Sequence, residues 1–173
     1  MKHLIFIISS TFIFVSNIFA CECDYQGSFF KVSKNSSFVA EVKVIKYLTF
    51  KDIYGKQTPM SMEVEIVDVY KGKEKRKVIT VWGDPGNLCR PYLSEFKEGG
   101  YYVIAFSPAG KNNYEKSTDY SISICGAYWL NIDIIKSTVT GDIDSKDKTL
   151  KIITLAEFKS EFLMTSPLKT ERF

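Results

Sequence analysis

The sequence predicts a mainly β protein: a single domain built as a five-stranded barrel, stapled by disulfides and flanked by a carboxyl-terminal α-helix. Three observations carry this. Apolar and polar residues alternate through the middle of the chain, and two of these stretches change phase partway. Four cysteines follow an amino-terminal segment with the form of an export signal. Thr154-Leu155-Ala156-Glu157 has the form of a capping box opening an amphipathic helix.

The first element is the leader, residues 1–20. Lys2 and His3 precede an apolar run from Leu4 to Phe19, broken by Ser9, Ser10, Thr11, Ser16 and Asn17, and Ala20 stands before Cys21. A basic start, an apolar centre and a small residue at the boundary describe a secretory signal peptide. The run is shorter than the ~20 apolar residues of a membrane span. Cleavage after Ala20 makes Cys21 the first residue and gives a secreted, periplasmic or extracellular product. Ile18-Phe19-Ala20-Cys21 is also an imperfect lipobox, with Phe19 where a small residue is usual. Association with a membrane is expected only if Cys21 is lipidated.

Composition narrows the function. The chain has 173 residues and a formal net charge of +3, one lysine of which leaves with the leader. That is enough chain for one domain with a real core, and too balanced a charge to make an electrostatic case for nucleic acid or an anionic surface. The densest basic cluster, Lys71 to Lys77, reads as a solvated turn between strands. The one histidine, His3, also leaves. The mature chain then lacks the commonest general base and metal ligand, so no Ser-His-Asp, Cys-His or His-rich zinc arrangement can be built. The acidic residues are scattered over stretches that read as exposed faces and loops. No enzyme activity, cofactor or intrinsic metal is expected.

Cys21, Cys23, Cys89 and Cys125 make an even set in an exported chain, which implies disulfides. Cys21 and Cys23 are poorly placed to bond each other, so each reaches for Cys89 or Cys125. A four-cysteine zinc site is the competing reading, but C-x-C with two isolated cysteines lacks the usual paired C-x2-C spacing.

The strands follow in order. Ala40, Val42 and Val44 alternate with Glu41 and Lys43, and the phase slips at Ile45 and Tyr47. Met60, Met62, Val64 and Ile66 alternate with Ser61, Glu63 and Glu65, slipping at Val67 and Val69. Such slips are what β-bulges produce, and long bent strands suit a small barrel. Lys77–Trp82, Tyr101–Phe106 and Tyr120–Gly126 complete the five. Leu48–Pro59 and Gly110–Asp119 read as loops and Asp142–Lys148 as a charged linker. Ser28–Ser33 reads as a turn of helix. The helix after Thr154 should lie across the barrel with Leu155, Phe158, Phe162 and Leu163 on one face. The domain spans 21–165, and 166–173 is a flexible tail.

A mature amino terminus Cys21-Glu22-Cys23, five strands in this order, two later single cysteines and the run Phe96-Lys97-Glu98-Gly99-Gly100-Tyr101 leading into a central strand resemble the tissue inhibitors of metalloproteinases. More broadly they resemble the netrin-like module built on a Greek-key, OB-type barrel. The resemblance covers roughly Cys21 to Asn131. It implies the pairs Cys21–Cys89 and Cys23–Cys125, and a binding edge of Cys21, Glu22, Cys23 and Asp24 beside Gly86, Asn87 and Leu88. It also implies that the Cys21 α-amino group and carbonyl chelate the zinc of a target protease. Glu22 departs from the small Thr or Ser of the inhibitors, and the second disulfide-rich domain is missing.

Two functions follow as expectations: an exported, non-enzymatic protein-binding module, and an inhibitor whose partner is a zinc metalloproteinase. Tyr47, Tyr54, Trp82, Tyr92, Tyr128 and Trp129 are candidate contacts for a protein partner. Nucleic-acid binding by such a barrel needs a basic groove with stacking platforms, which the charge balance argues against.

Overall fold

Alternation becomes a closed ring of strands in the computed structural model, which describes residues 21–110, 113–145 and 148–165. The leader and the 166–173 tail lie outside the described residues. In chain order the elements are α1 (Phe29–Asn35), β1 (Phe38–Ile53), β2 (Lys56–Lys71), β3 (Val78–Trp82), a 3-10 turn (Leu93–Glu95), β4 (Tyr101–Pro108), β5 (Tyr120–Ser121), β6 (Trp129–Asp133), β7 (Thr138–Gly141), β8 (Lys151–Thr154) and α2 (Leu155–Thr165). The ring runs β1-β2-β3-β5-β4 and closes through β4 on β1. The β3–β5 pair is parallel and the others are antiparallel. This is the five-stranded OB-type barrel.

One face of every strand fills the barrel. Cross-strand partners Val44–Val64, Val64–Ile79, Met62–Val81, Val42–Tyr102, Ala40–Ile104 and Phe38–Phe106 all turn inward and are buried. The Phe38 ring lies 5.2 Å from Phe106 and 5.1 Å from Tyr120. The phase slips are bulges: pairing skips Ile45 between Val44 and Lys46, and Val67 between Ile66 and Asp68. Because a side-chain period of two cannot absorb an extra residue, both strands bend there and the sheet can close.

The other face of β1 and β4 is also buried, beneath the helices. Val39, Val103, Ala105, Leu130, Ile132 and Val139 form a second apolar layer with Phe29, Phe30, Val32, Phe158 and Phe162. Phe158 lies 5.8 Å from Phe29, 5.6 Å from Phe30 and 5.9 Å from Tyr70. The capping box forms reciprocally: the Glu157 amide donates to Thr154 Oγ1 at 3.1 Å and the Thr154 amide to Glu157 Oε2 at 2.8 Å.

Several expectations are corrected. Leu48–Pro59 is a hairpin arm, in which Ile53 pairs with Lys56 across Tyr54-Gly55. Both turn residues have positive φ, 54° and 78°, as a tight two-residue hairpin turn requires. Tyr120–Gly126 is strand only at Tyr120–Ser121; β6, carrying the β7 and β8 hairpins, takes over the first half of the same β4 edge. The start of the 142–148 segment is not a solvated linker, since Asp142 and Ile143 are buried and their carbonyls accept the Phe29 and Phe30 amides at 2.9 Å each. Leu163 is 59% exposed, so the buried helix face is Phe158 and Phe162.

Among the described residues four carboxylates are buried, although the acidic residues read from sequence as lying on exposed faces and in loops. Glu41, 3% exposed, accepts from Tyr70 Oη at 2.8 Å and faces Lys159 at 3.4 Å. Glu115 meets Arg90, Asp119 accepts from Trp82, and Asp142 accepts from Tyr25. Each was unreadable as buried because its cover comes from a distant part of the chain.

The basic cluster does form the β2–β3 connection. Within it Glu74 accepts from Arg76 Nη2 at 2.6 Å and Tyr120 Oη at 2.9 Å. Led by the hydrogen bond from Arg76, these contacts hold its carboxyl down at about 2. A depressed folded value stabilises the fold above the ordinary carboxylate range and is lost as pH falls towards 2. Denaturation at stepped pH should therefore show a steeper loss between pH 5 and 2 in the native chain than in Glu74→Gln. Phe158→Ala should lower stability by about 3–5 kcal/mol and Leu163→Ala by under about 0.5 kcal/mol, measured by chemical unfolding.

Candidate functional site: a disulfide-pinned ridge

Residues 21–27 form no strand or helix, yet they are among the most heavily tethered in the chain. Cys21 is bonded to Cys89 and Cys23 to Cys125, with Cα separations of 5.1 and 5.7 Å. These are the pairs that the resemblance implied. They close loops of 68 and 102 residues, which on loop-closure entropy alone corresponds to about 4–5 kcal/mol each. Past the cysteines the backbone is knitted to the loop after β5. The Gln26 amide donates to the Cys125 carbonyl at 2.6 Å and the Ala127 amide to the Gly27 carbonyl at 3.0 Å. Tyr128 donates its hydroxyl to Gln26 Oε1, and Tyr25 donates to Asp142 with the Lys148 ammonium 4.3 Å above its ring. Burial, then Asp142, raises the Tyr25 phenol above its ordinary value.

The close approach fixes one residue type. A Cβ on Gly126 would lie 2.9 Å from Val32 Cγ1 and 3.0 Å from the Gly27 carbonyl oxygen. The Cys125 loop can therefore receive the amino-terminal segment only with glycine there.

Opposite Cys21, the turn between β3 and Cys89 is ordered by one carboxylate. Asp84 Oδ1 accepts the amides of Gly86, Asn87 and Leu88 at 2.8, 2.8 and 2.7 Å. Lys51 on the hairpin arm donates to the Pro85 carbonyl at 2.9 Å, and the Ile124 amide to the Cys89 carbonyl at 3.1 Å. The result is a continuous edge on which Glu22, Cys23, Asp24, Gly86 and Asn87 are exposed while Cys21 and Leu88 are half-buried. All the residues of the expected binding edge belong to these two tethered segments.

A cleft of about 590 Å³ adjoins this edge through Pro85, with Phe50, Met60, Trp82, Tyr114 and Glu115 among its walls. Its floor is braced by the Arg90–Glu115 pair, two hydrogen bonds of 2.7 and 3.0 Å, and by Trp82 Nε1 donating to Asp119 at 2.8 Å. The sequence does not reveal it because one wall is the 48–59 arm, which reads as a loop. Of the expected aromatic contacts, Tyr54 is 97% exposed at the arm tip, and Tyr92 is exposed. Tyr47 and Trp129 are half-buried, and Tyr128, 8% exposed, belongs to the core instead of a binding surface.

With all four sulfurs paired, none of them is available to hold a metal, and no other group of three or more His, Cys, Asp or Glu among the described residues gathers closely enough to do so.

No protein-family model matches the chain, and no curated protein matches it. The geometry of the ridge therefore carries its functional reading. If Asp84 sets that geometry, Asp84→Ala leaves three amides unpaired and should cost about 1–3 kcal/mol. Amide exchange should accelerate at Gly86, Asn87 and Leu88 while β4 keeps its protection.

Proposed function

We propose that this chain is an exported, non-enzymatic protein-binding module that docks through the ridge of Cys21, Glu22, Cys23 and Asp24 with Gly86, Asn87 and Leu88. The observation that supports this is the number of independent tethers on an exposed edge. Two disulfides, the Asp84 turn and the Gln26 and Gly27 backbone bonds hold a surface that has no core of its own to organise. An edge ordered in advance loses little freedom when a partner closes on it, so more of the contact energy appears as affinity. The cleft beside Pro85 extends the same surface with apolar walls.

Export fits the chemistry. Disulfides persist in oxidising, non-cytoplasmic compartments, and among the described residues no helix is long and apolar enough to cross a membrane. A leader at residues 1–20 directs the chain there, and its removal leaves Cys21 as the first residue. The Cys21 sulfur is committed to Cys89, and a sulfur cannot carry both that bond and a lipid thioether, which favours the unlipidated form.

Cys21 at the end of the ridge favours a second reading, inhibition of a zinc metalloproteinase. Once freed, its α-amine titrates near ~7.7 and is partly neutral at physiological pH. Its lone pair and the adjacent carbonyl would then face a target's zinc from a fixed position. Glu22 beside it is costly to bury in an apolar pocket, so this reading requires a target pocket that satisfies a carboxylate.

Two assays separate the readings. Proteins captured from the extracellular fraction by the mature chain should be lost with Glu22→Arg and with Asn87→Trp but retained with Tyr54→Ala. Capture that survives both ridge variants rules the ridge out. For chelation, one alanine added before Cys21 should weaken inhibition of zinc proteases by roughly a hundredfold or more. Unchanged inhibition by the extended chain excludes a role for the amine.

A further inference from the structure

The two disulfides are not merely near each other; their four sulfurs form one cluster. Sγ atoms of Cys21, Cys23, Cys89 and Cys125 all lie within 4.8 Å of one another. The unbonded Cys21 and Cys23 sulfurs are 3.9 Å apart. A tetrahedral ion bound by thiolates at about 2.3 Å requires sulfurs about 3.8 Å apart. One edge of that tetrahedron is thus already set by the fold, and each bonded pair needs only to open to the same spacing.

We propose that, when both disulfides are reduced, these four cysteines form a single site for a soft, tetrahedral divalent ion, zinc being the natural occupant. The site rests on contacts that do not involve sulfur. Gln26 to Cys125, Ala127 to Gly27 and Ile124 to Cys89 join the three cysteine-bearing segments through backbone hydrogen bonds. Tyr25 to Asp142 and Tyr128 to Gln26 hold the first segment by side chains. With both S–S bonds cut, these hydrogen bonds remain to bring the four cysteines together, and the ion supplies the tether that the disulfides gave. A phosphine reductant supplies the two electrons per disulfide: the phosphine and one water become phosphine oxide, and the disulfide becomes two thiols. Four thiols then bind one divalent ion as thiolates and release four protons. The ion takes the place of the two staples, so the ridge keeps its shape in a chain that has not been oxidised. Thiolate donors select zinc-like ions over magnesium or calcium. This site is independent of the docking reading, since it concerns the chain's own sulfurs in their reduced state.

The test uses the mature protein reduced with a phosphine under argon, desalted and titrated with cobalt(II) and then zinc(II). The expected result is one cobalt per chain, with the visible bands of a tetrahedral ion and intense sulfur charge transfer, both displaced by zinc. The oxidised protein should take up none. Zinc at a hundredfold excess over its dissociation constant should raise the thermal midpoint of the reduced chain by about 5 °C or more, because only the folded chain presents the site. Cys23→Ser and Cys125→Ser should each weaken binding at least roughly tenfold and lower the sulfur charge-transfer intensity. Octahedral cobalt bands, equal uptake by the oxidised protein, or zinc binding with no rise in the midpoint would each overturn the proposal. So would a reduced chain that stays unfolded in the presence of zinc.

Discussion

Two sulfur–sulfur bonds within a few ångströms of each other decide where this chain's first described residues lie, and the exposed edge of the molecule follows from that. Residues 21–27 contribute no strand or helix and little apolar area, so burial cannot place them. Covalent closure of two long loops does so by removing the freedom the unfolded chain would otherwise keep. Backbone bonds to the Cys125 loop and the glycine at 126 then convert a tether into a defined path. The Asp84 turn supplies the other half of the edge with a different device, one carboxylate satisfying three amides at once.

The barrel is the frame on which this is mounted, and its one core has two layers. Inward residues of β1 to β5 fill the ring, and the outward face of β1, β4 and β6 is sealed by α1 and α2 through a layer of phenylalanines. A strand buried on both faces tolerates a charge only if the charge is paired, and Glu41 is, by Tyr70 and Lys159. The helices thereby leave the rim carrying the disulfides and the arm uncovered, and that rim is where the ridge and the cleft meet.

Much of this was legible from residue order alone. Alternation at Ala40–Val44 and Met60–Ile66 marked the barrel face, the slips at Ile45 and Val67 marked bulges, and Thr154 with Glu157 marked the start of α2. The illegible parts share one cause: their environment is made by residues far away in sequence. Residues 48–57 of the arm are exposed or half-buried, so their alternation carries no hydrophobic signal even though Tyr54-Gly55 makes a tight turn. Glu41 looks solvent-facing until a helix from the other end of the chain covers it. The fifth strand ends early because Cys125 and Gly126 must leave the ladder to meet the amino-terminal segment. The half of the candidate edge at Cys21–Asp24 was reached only as what the resemblance carried by Cys21-Glu22-Cys23 implies, whereas the three-amide role of Asp84 and the neighbouring cleft exist only in three dimensions.

The claim beneath all of this is the specific linkage of the cysteines, and peptide mapping of the unreduced protein by mass spectrometry addresses it directly. The account requires cross-linked fragments joining Cys21 to Cys89 and Cys23 to Cys125, with no free thiol. Exchanged pairs, a bond between Cys21 and Cys23, or an alkylatable cysteine in the folded protein would contradict it.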